Sequence, residues 1–228
     1  MDSTRTTPAD TVAMTLFHSA LRRDLARIRS VLGSRRLSAP RRRLLGRHIV
    51  WVVAALRWHH EGEDAELWPV LIERAPESRD VLHAMEAEHH AIDEPLARLE
   101  SAGRGLAAGR TAPAQIVEIL DDLEGPLLAH LAHEEDEAMQ IVSRVLTTRE
   151  WKDFENRAWA EGYSTTQSLR FVTWLVDGTA SGRDLWRRAG VPAAAYWLAL
   201  KPLSQYGRLP LVSPWAGTPA ARIPPLPA

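Results

Sequence analysis

The segments HHEGEDAELWP at 59–69 and HLAHEEDEAM at 130–139 decide the fold of this chain. Each places a glutamate four residues after a histidine, His59 with Glu63 and His130 with Glu134. Each then adds a second acid, Asp64 or Glu135. A further histidine stands 41 residues ahead of each pair, His18 before His59 and His89 before His130. The offset between the two copies is therefore 71 at all three positions. Positions i and i+4 share one helix face, so each pair reads as two groups stacked on a helix. A 41-residue return to the same height fits a helix of about 20 residues, or about 30 Å, followed by its antiparallel neighbour. Two such hairpins make an all-α, up-down-up-down four-helix bundle over residues 1–146.

Apolar periodicity and breakers place the helices. The first runs from Asp10 to Leu32, with Gly33 to stop it; Leu16, Ala20, Leu21, Leu25 and Ile28 form its inner stripe. Arg22, Arg23, Arg27 and Arg29 fall mostly on its other side. The second starts near Ser38, with Pro40 in its first turn, and continues to Trp68, where Pro69 ends or kinks it. The third starts near Ser78, carries Val81, Leu82, Met85, His89, Ile92, Leu96 and Leu99, and is expected to kink at Pro95. Glycines 103, 105 and 109 read as a flexible connection. The fourth runs from Thr111–Pro113 to Leu146, with a kink expected at Gly125–Pro126.

Residues 147–228 read as an extension packed on the bundle. TTRE at 147–150 is a capping-box pattern that opens a short helix over Trp151, Phe154, Ala158 and Trp159. A helix over Thr165 to Val176 and a third start at Ser181 to Asp184 follow. From Pro202 onward seven prolines predict an extended, partly disordered tail. Six of nine tryptophans and all three tyrosines lie beyond residue 150, and a segment so aromatic needs a surface to bury against. Tyr163, Tyr196 and Tyr206 with those tryptophans read either as a lid or substrate mouth, or as a packing layer or homodimer surface.

Composition bounds the chemistry. A net charge of −1 over 228 residues argues for neither nucleic acid nor an anionic membrane surface. The absence of cysteine removes disulfides, iron–sulfur clusters and thiol catalysis. Any metal must be held by His, Asp and Glu, which suit iron, manganese or zinc. The polar start MDSTRTTPADT has no signal-peptide core, and the longest apolar run, Ile49 to Leu56, is far too short to span a bilayer. A soluble cytoplasmic protein is expected.

One histidine alone is more often a surface or core residue than a ligand; the joint placement carries the inference. Four histidines and two glutamates on inner faces are costly to bury unless compensated. Two metal dications bridged by carboxylates would compensate them. His60–Asp64 and His133–Glu137 also show i, i+4 spacing, and His90 adjoins His89. The register of His18, His59, Glu63, His89, His130 and Glu134 alone keeps both spacings. His60, His90 and His133 are then rim or second-layer residues. Asp64 and Glu135 are candidates to accept hydrogen bonds from ligand imidazoles. His48 and His83 read as structural or exposed.

With EAEHHAID around His89 and TLFHSALRRDL around His18, these motifs resemble the hemerythrin-like, or HHE cation-binding, domain over residues 10–146. Trp68–Pro69 after the first pair fits the same pattern. The resemblance implies a four-helix bundle around a non-haem diiron centre. His18, His59, His89 and His130 would be terminal ligands, and Glu63 and Glu134 would bridge or chelate. Oxygen-carrying members have a further histidine four residues before the position of His89; here it is Met85, a poor ligand for ferric iron. The last carboxylate sits at HxxxE where carriers have HxxxxD, although Glu135 occupies the longer spacing. Three functions stay open: binding or sensing of O₂ or NO, oxidation of a small molecule or consumption of peroxide by a diiron oxidase or oxygenase, and iron storage or delivery.

Overall fold

The computed structural model describes residues 7–34, 37–157, 164–177, 208–209 and 213–226. Among these the structure is helical, with one isolated bridge between Pro8 and Thr147. Helix α1 (Val12–Leu32) ends at Gly33, as its sequence predicts. Helix α2 (Ala39–Gly62) starts where the Ser38 hydroxyl accepts the Arg41 N–H. His18, near the start of α1, meets His59, near the end of α2, so the two helices run in opposite directions.

The second and fourth helices are not continuous. A π-helical turn, Glu63–Leu67, follows α2 and leads into α3 (Trp68–Arg74). Seventy-one residues on, a π turn at Glu134–Ala138 follows α5 (Pro113–His133) and leads into α6 (Met139–Val145). In each, the first carbonyl belongs to the glutamate of the HxxxE pair: Trp68 N–H donates to Glu63 O, and Met139 N–H to Glu134 O. A π turn inserts one residue into the helical ladder and is found mostly at functional sites.

Helix α4 (Arg79–Ala107) runs through Pro95 and takes in Gly103 and Gly105, where the glycine spacing predicts a flexible connection. Helix packing is the reason. A Cβ at Gly46 of α2 would collide with the backbone of Gly103 and Ala107, so the two helices touch backbone to backbone. The turn falls instead at Gly109, whose φ of +74° favours glycine. Helix α5 likewise continues through Gly125 and Pro126.

The 71-residue offset extends into the core. Leu21 and Ile92, Leu25 and Leu96, Ile28 and Leu99, Ile49 and Leu120, and Leu56 and Leu127 are buried together as matched pairs. A second apolar cluster holds Met14, Leu67, Met85 and Ala138 with Trp68, Trp151 and Phe154. The HxxxE residues lie along the chain between these clusters. Helix α7 (Thr148–Glu155) opens on the predicted capping box, with the Glu150 carboxylate accepting the Thr147 N–H at 2.9 Å. Those bonds and Arg74 hold the Glu150 carboxyl down at about 2.

Helix α8 (Thr165–Val176) matches its sequence reading and, with residues 213–226, covers α1 and α2. Trp174 and Trp215 enter the main core, and Pro219–Arg222 forms a 3-10 turn rather than extended chain. The α1 arginines are not an outer face: Glu135 holds Arg22, and the C-terminal cover buries Arg23 and Arg27. Arg22, Arg23 and Arg27 are buried, and only Arg29 stays partly exposed, paired with Asp121 and Glu124. Arg27 pairs with Asp177 and donates to Ile223 O at 2.9 Å; Arg23 donates to Asp177 O at 2.7 Å. Asp24 accepts from Arg23 Nε at 3.0 Å, His48 Nε2 at 2.5 Å and Trp174 Nε1 at 2.8 Å. Burial opposes ionisation of Asp24, but Arg23 and His48 outweigh it and hold its carboxyl well below the usual range. The helix start at Ser181–Asp184, Trp159, Tyr163, Tyr196 and Tyr206 lie outside the described residues. No helix among the described residues is long and apolar enough to cross a membrane.

Candidate metal centre

Seven buried side chains meet between the helices: His18 from α1, His59 and His60 from the end of α2, Glu63 from the first π turn, His89 from α4, His130 from α5 and Glu134 from the second π turn. Two groups have donor atoms all within 4.8 Å of one another, His18–His59–Glu134 and His60–His89–His130.

The carboxylates lie across the halves. Glu63 Oε1 is 3.3 Å from His59 Nε2, and its Oε2 is 3.7 Å from His89 Nε2. Glu134 Oε2 is 3.1 Å from His18 Nε2 and 3.8 Å from His130 Nε2. Each acid thus touches one imidazole of its own half and one of the other.

The outer nitrogens are held from behind. His18 Nδ1 meets Glu135 at 2.9 Å, His89 Nδ1 meets Asp64 at 2.8 Å, and His130 Nδ1 meets Glu88 at 3.0 Å. An ionised carboxylate only accepts, so each Nδ1 carries the proton and each Nε2 presents its lone pair inward. Arg22 fixes Glu135 with two bonds, at 2.8 and 3.1 Å. His133 fixes Glu88 at 2.8 Å.

Inside this ring, polar atoms lack hydrogen-bond partners: Nε2 of His18, His60, His89 and His130, and both carboxylate oxygens of Glu63 and of Glu134. Buried lone pairs left this way are expensive. Burial, and then the surrounding imidazoles, hold His59 and His60 well below their ordinary value. His130 is lowered by burial as well. His18 goes the other way: burial opposes its protonation, but Glu134 and Glu135 raise it. Burial and the Glu134 carboxylate push Glu63 well above the usual carboxylate range, while three imidazoles hold Glu134 low despite its burial. Imidazoles converging on two opposed carboxylates are a donor set suited to cations, and the residues present fit a pair of metal ions.

All six residues of the 41-and-71 register come together here. Asp64 and Glu135 lie behind His89 and His18, and His133 lies at the rim through Glu88. His60 departs from the rim reading. It is buried and stacked on His89 at 3.9 Å, with 9° between the rings. His90 is 72% exposed and faces Asp93, away from the centre. Met85 is fully buried in the apolar cluster beside Met14 and Leu82. His83 is exposed, and His48 belongs to the Asp24 network. Glu88 and Arg22 were missed. Seventy-one residues before Glu88 stands Phe17, so the repeat gave no hint of it, and Arg22 looked like a surface cation.

The model of the hemerythrin HHE cation binding domain family matches residues 10–142. No curated protein and no solved structure matches the chain.

Proposed function

The chain belongs to the hemerythrin HHE cation-binding family, and on that premise we propose that its buried centre holds two iron ions and reacts with dioxygen or a related small oxidant such as NO or peroxide. The observation that carries this is the pair of adjacent buried donor groups with unpartnered imidazole nitrogens and carboxylate oxygens. His18, His59 and Glu134 would hold one ion and His60, His89 and His130 the other, with Glu63 between them. His60 then supplies the donor that Met85 cannot. Such a pair supplies redox chemistry toward small oxidants that the side chains lack. The chain orients it: Glu135, Asp64 and Glu88 keep three imidazoles turned inward. The flanking apolar clusters keep water out, which strengthens every electrostatic interaction inside.

A second reading, oxidation of a small organic substrate, is favoured by an open groove of about 510 Å³ that reaches Asp64 and Trp68, immediately behind His89. Substrate access of this kind is what an oxidase needs and a carrier does not.

Anaerobic reconstitution with ferrous iron tests the proposal. About two irons per chain are expected, as in carboxylate-bridged pairs, with fewer in His59→Ala and Glu134→Ala and no change in His90→Ala. Iron near zero in a folded chain, or equal loss in all three variants, would sink it. On admitting O₂, an adduct that reverses under vacuum supports binding. Irreversible oxidation supports turnover.

A further inference from the structure

A run of aromatic contacts leads from the centre to the surface through Phe17, Trp174 and Trp51. The Phe17 ring lies 4.3 Å from the His59 ring, and Trp174 lies 5.4 Å beyond Phe17, edge on. Trp51 follows 5.4 Å from Trp174 and is half-buried, so it reaches the surface. The Trp174 indole is itself buried, and its N–H donates to Asp24 Oδ2 at 2.8 Å.

We infer that Trp174 is a redox-active residue, the internal one-electron donor to the metal centre, with Phe17 as the contact between them. This rests on the dinuclear centre proposed above. Peroxide reduction to two waters takes two electrons and two protons. A single ferrous ion held by the centre's residues would supply one of these electrons. Trp174 gives the other and becomes an indole cation radical, and solvent supplies both protons. An external one-electron reductant then restores the indole through Trp51.

The surroundings select Trp174 over its neighbours. A cation at the indole is stabilised by an ionised carboxylate at hydrogen-bond distance in a buried setting, where charge interactions are strong. Arg23 also lies over this ring, at 5.7 Å, but its own charge is offset by Asp24 at 3.0 Å. Trp51 carries the Arg170 guanidinium 4.4 Å above its ring, closer than Arg23 lies to Trp174. Trp68 stacks near His89 at 6.5 Å, yet its buried N–H meets no acceptor. Between Trp174 and Trp68, the Trp174 indole is the one whose N–H meets a carboxylate.

The test uses the full chain loaded with iron and poised half-oxidised, one ferrous and one ferric ion per chain. It is then given one equivalent of hydrogen peroxide and followed by freeze-quench electron paramagnetic resonance alongside the optical spectrum. A tryptophan radical is expected in the natural protein and in Trp68→Phe, and none in Trp174→Phe at equal iron content. Peptide mapping of the natural protein after excess peroxide should find oxidised indole at 174 ahead of 68, which keeps the test decisive if Trp174→Phe folds poorly. An optical change without a tryptophan radical, or a radical lost in Trp68→Phe and kept in Trp174→Phe, overturns the inference and leaves the metal reading standing. No optical change with peroxide overturns both.

Discussion

The two halves of the bundle, 12–74 and 79–145, agree around the centre and differ at its back. Around the centre they exchange supports: His18 of the first half leans on Glu135 of the second, and His89 of the second leans on Asp64 of the first. Both glutamates sit at the start of a π turn. Behind the centre the likeness stops. Arg23, Asp24, Arg27 and His48 of the first half correspond, 71 residues on, to Glu94, Pro95, Arg98 and Ile119. The first set is buried under α8 and residues 213–226, whereas Glu94 is 72% and Arg98 43% exposed. At the centre, His60 corresponds to Leu131 and Phe17 to Glu88. The six donors of the repeat stay alike, while His60 and the residues behind the centre diverge where their neighbours differ.

Removing one member of a buried charge pair should separate the halves most. Arg27→Ala is expected to cost about 3–5 kcal/mol, because it removes one member of a buried ion pair with Asp177. Arg98→Ala should barely move the unfolding midpoint, as exposed pairs do. Urea unfolding of both variants decides it, and equal losses would mean that the C-terminal cover is not what distinguishes the two faces. The crossed supports come next. Asp64→Ala and Glu135→Ala should each weaken metal binding by about 10- to 100-fold, the usual effect of removing a carboxylate behind a ligand imidazole. His60→Leu gives the first half the second half's residue and should cost more than either; affinity at the natural level would return His60 to the rim. The smallest effect is with pH. Asp24 titrates below its ordinary 3.8 in the folded chain, so its contribution is full above that value. It is lost as pH falls through the lower folded value. Asp24→Asn should therefore flatten the acid limb of the stability curve below about pH 4, measured by thermal melts.

The bundle and six of the seven inward donors were legible because both follow from period. A ligand that must return to the same height writes its spacing into the chain. His60 was not legible, since its counterpart Leu131 breaks the repeat and its value comes from stacking on a helix distant in sequence. The π turns left no local signal either: EDAEL and EEDEA read as ordinary helix, and the extra residue is visible only in which carbonyl each N–H meets. The burial of Arg22, Arg23 and Arg27 depended on chain more than 100 residues away, which no helical period on α1 could report.

The backbone contact of Gly46 with Gly103 bears on the order of assembly. It lies about 20 Å along α2 from His59 at 1.5 Å per residue, and it needs no ion. Together with the aliphatic layers above it, this end gives the polypeptide a reason to fold before any metal arrives, unlike small zinc domains whose chain orders only around the ion. Loading is then a late step performed on a finished protein. Which metal occupies the centre would be governed by cellular supply at that moment as much as by ligand preference.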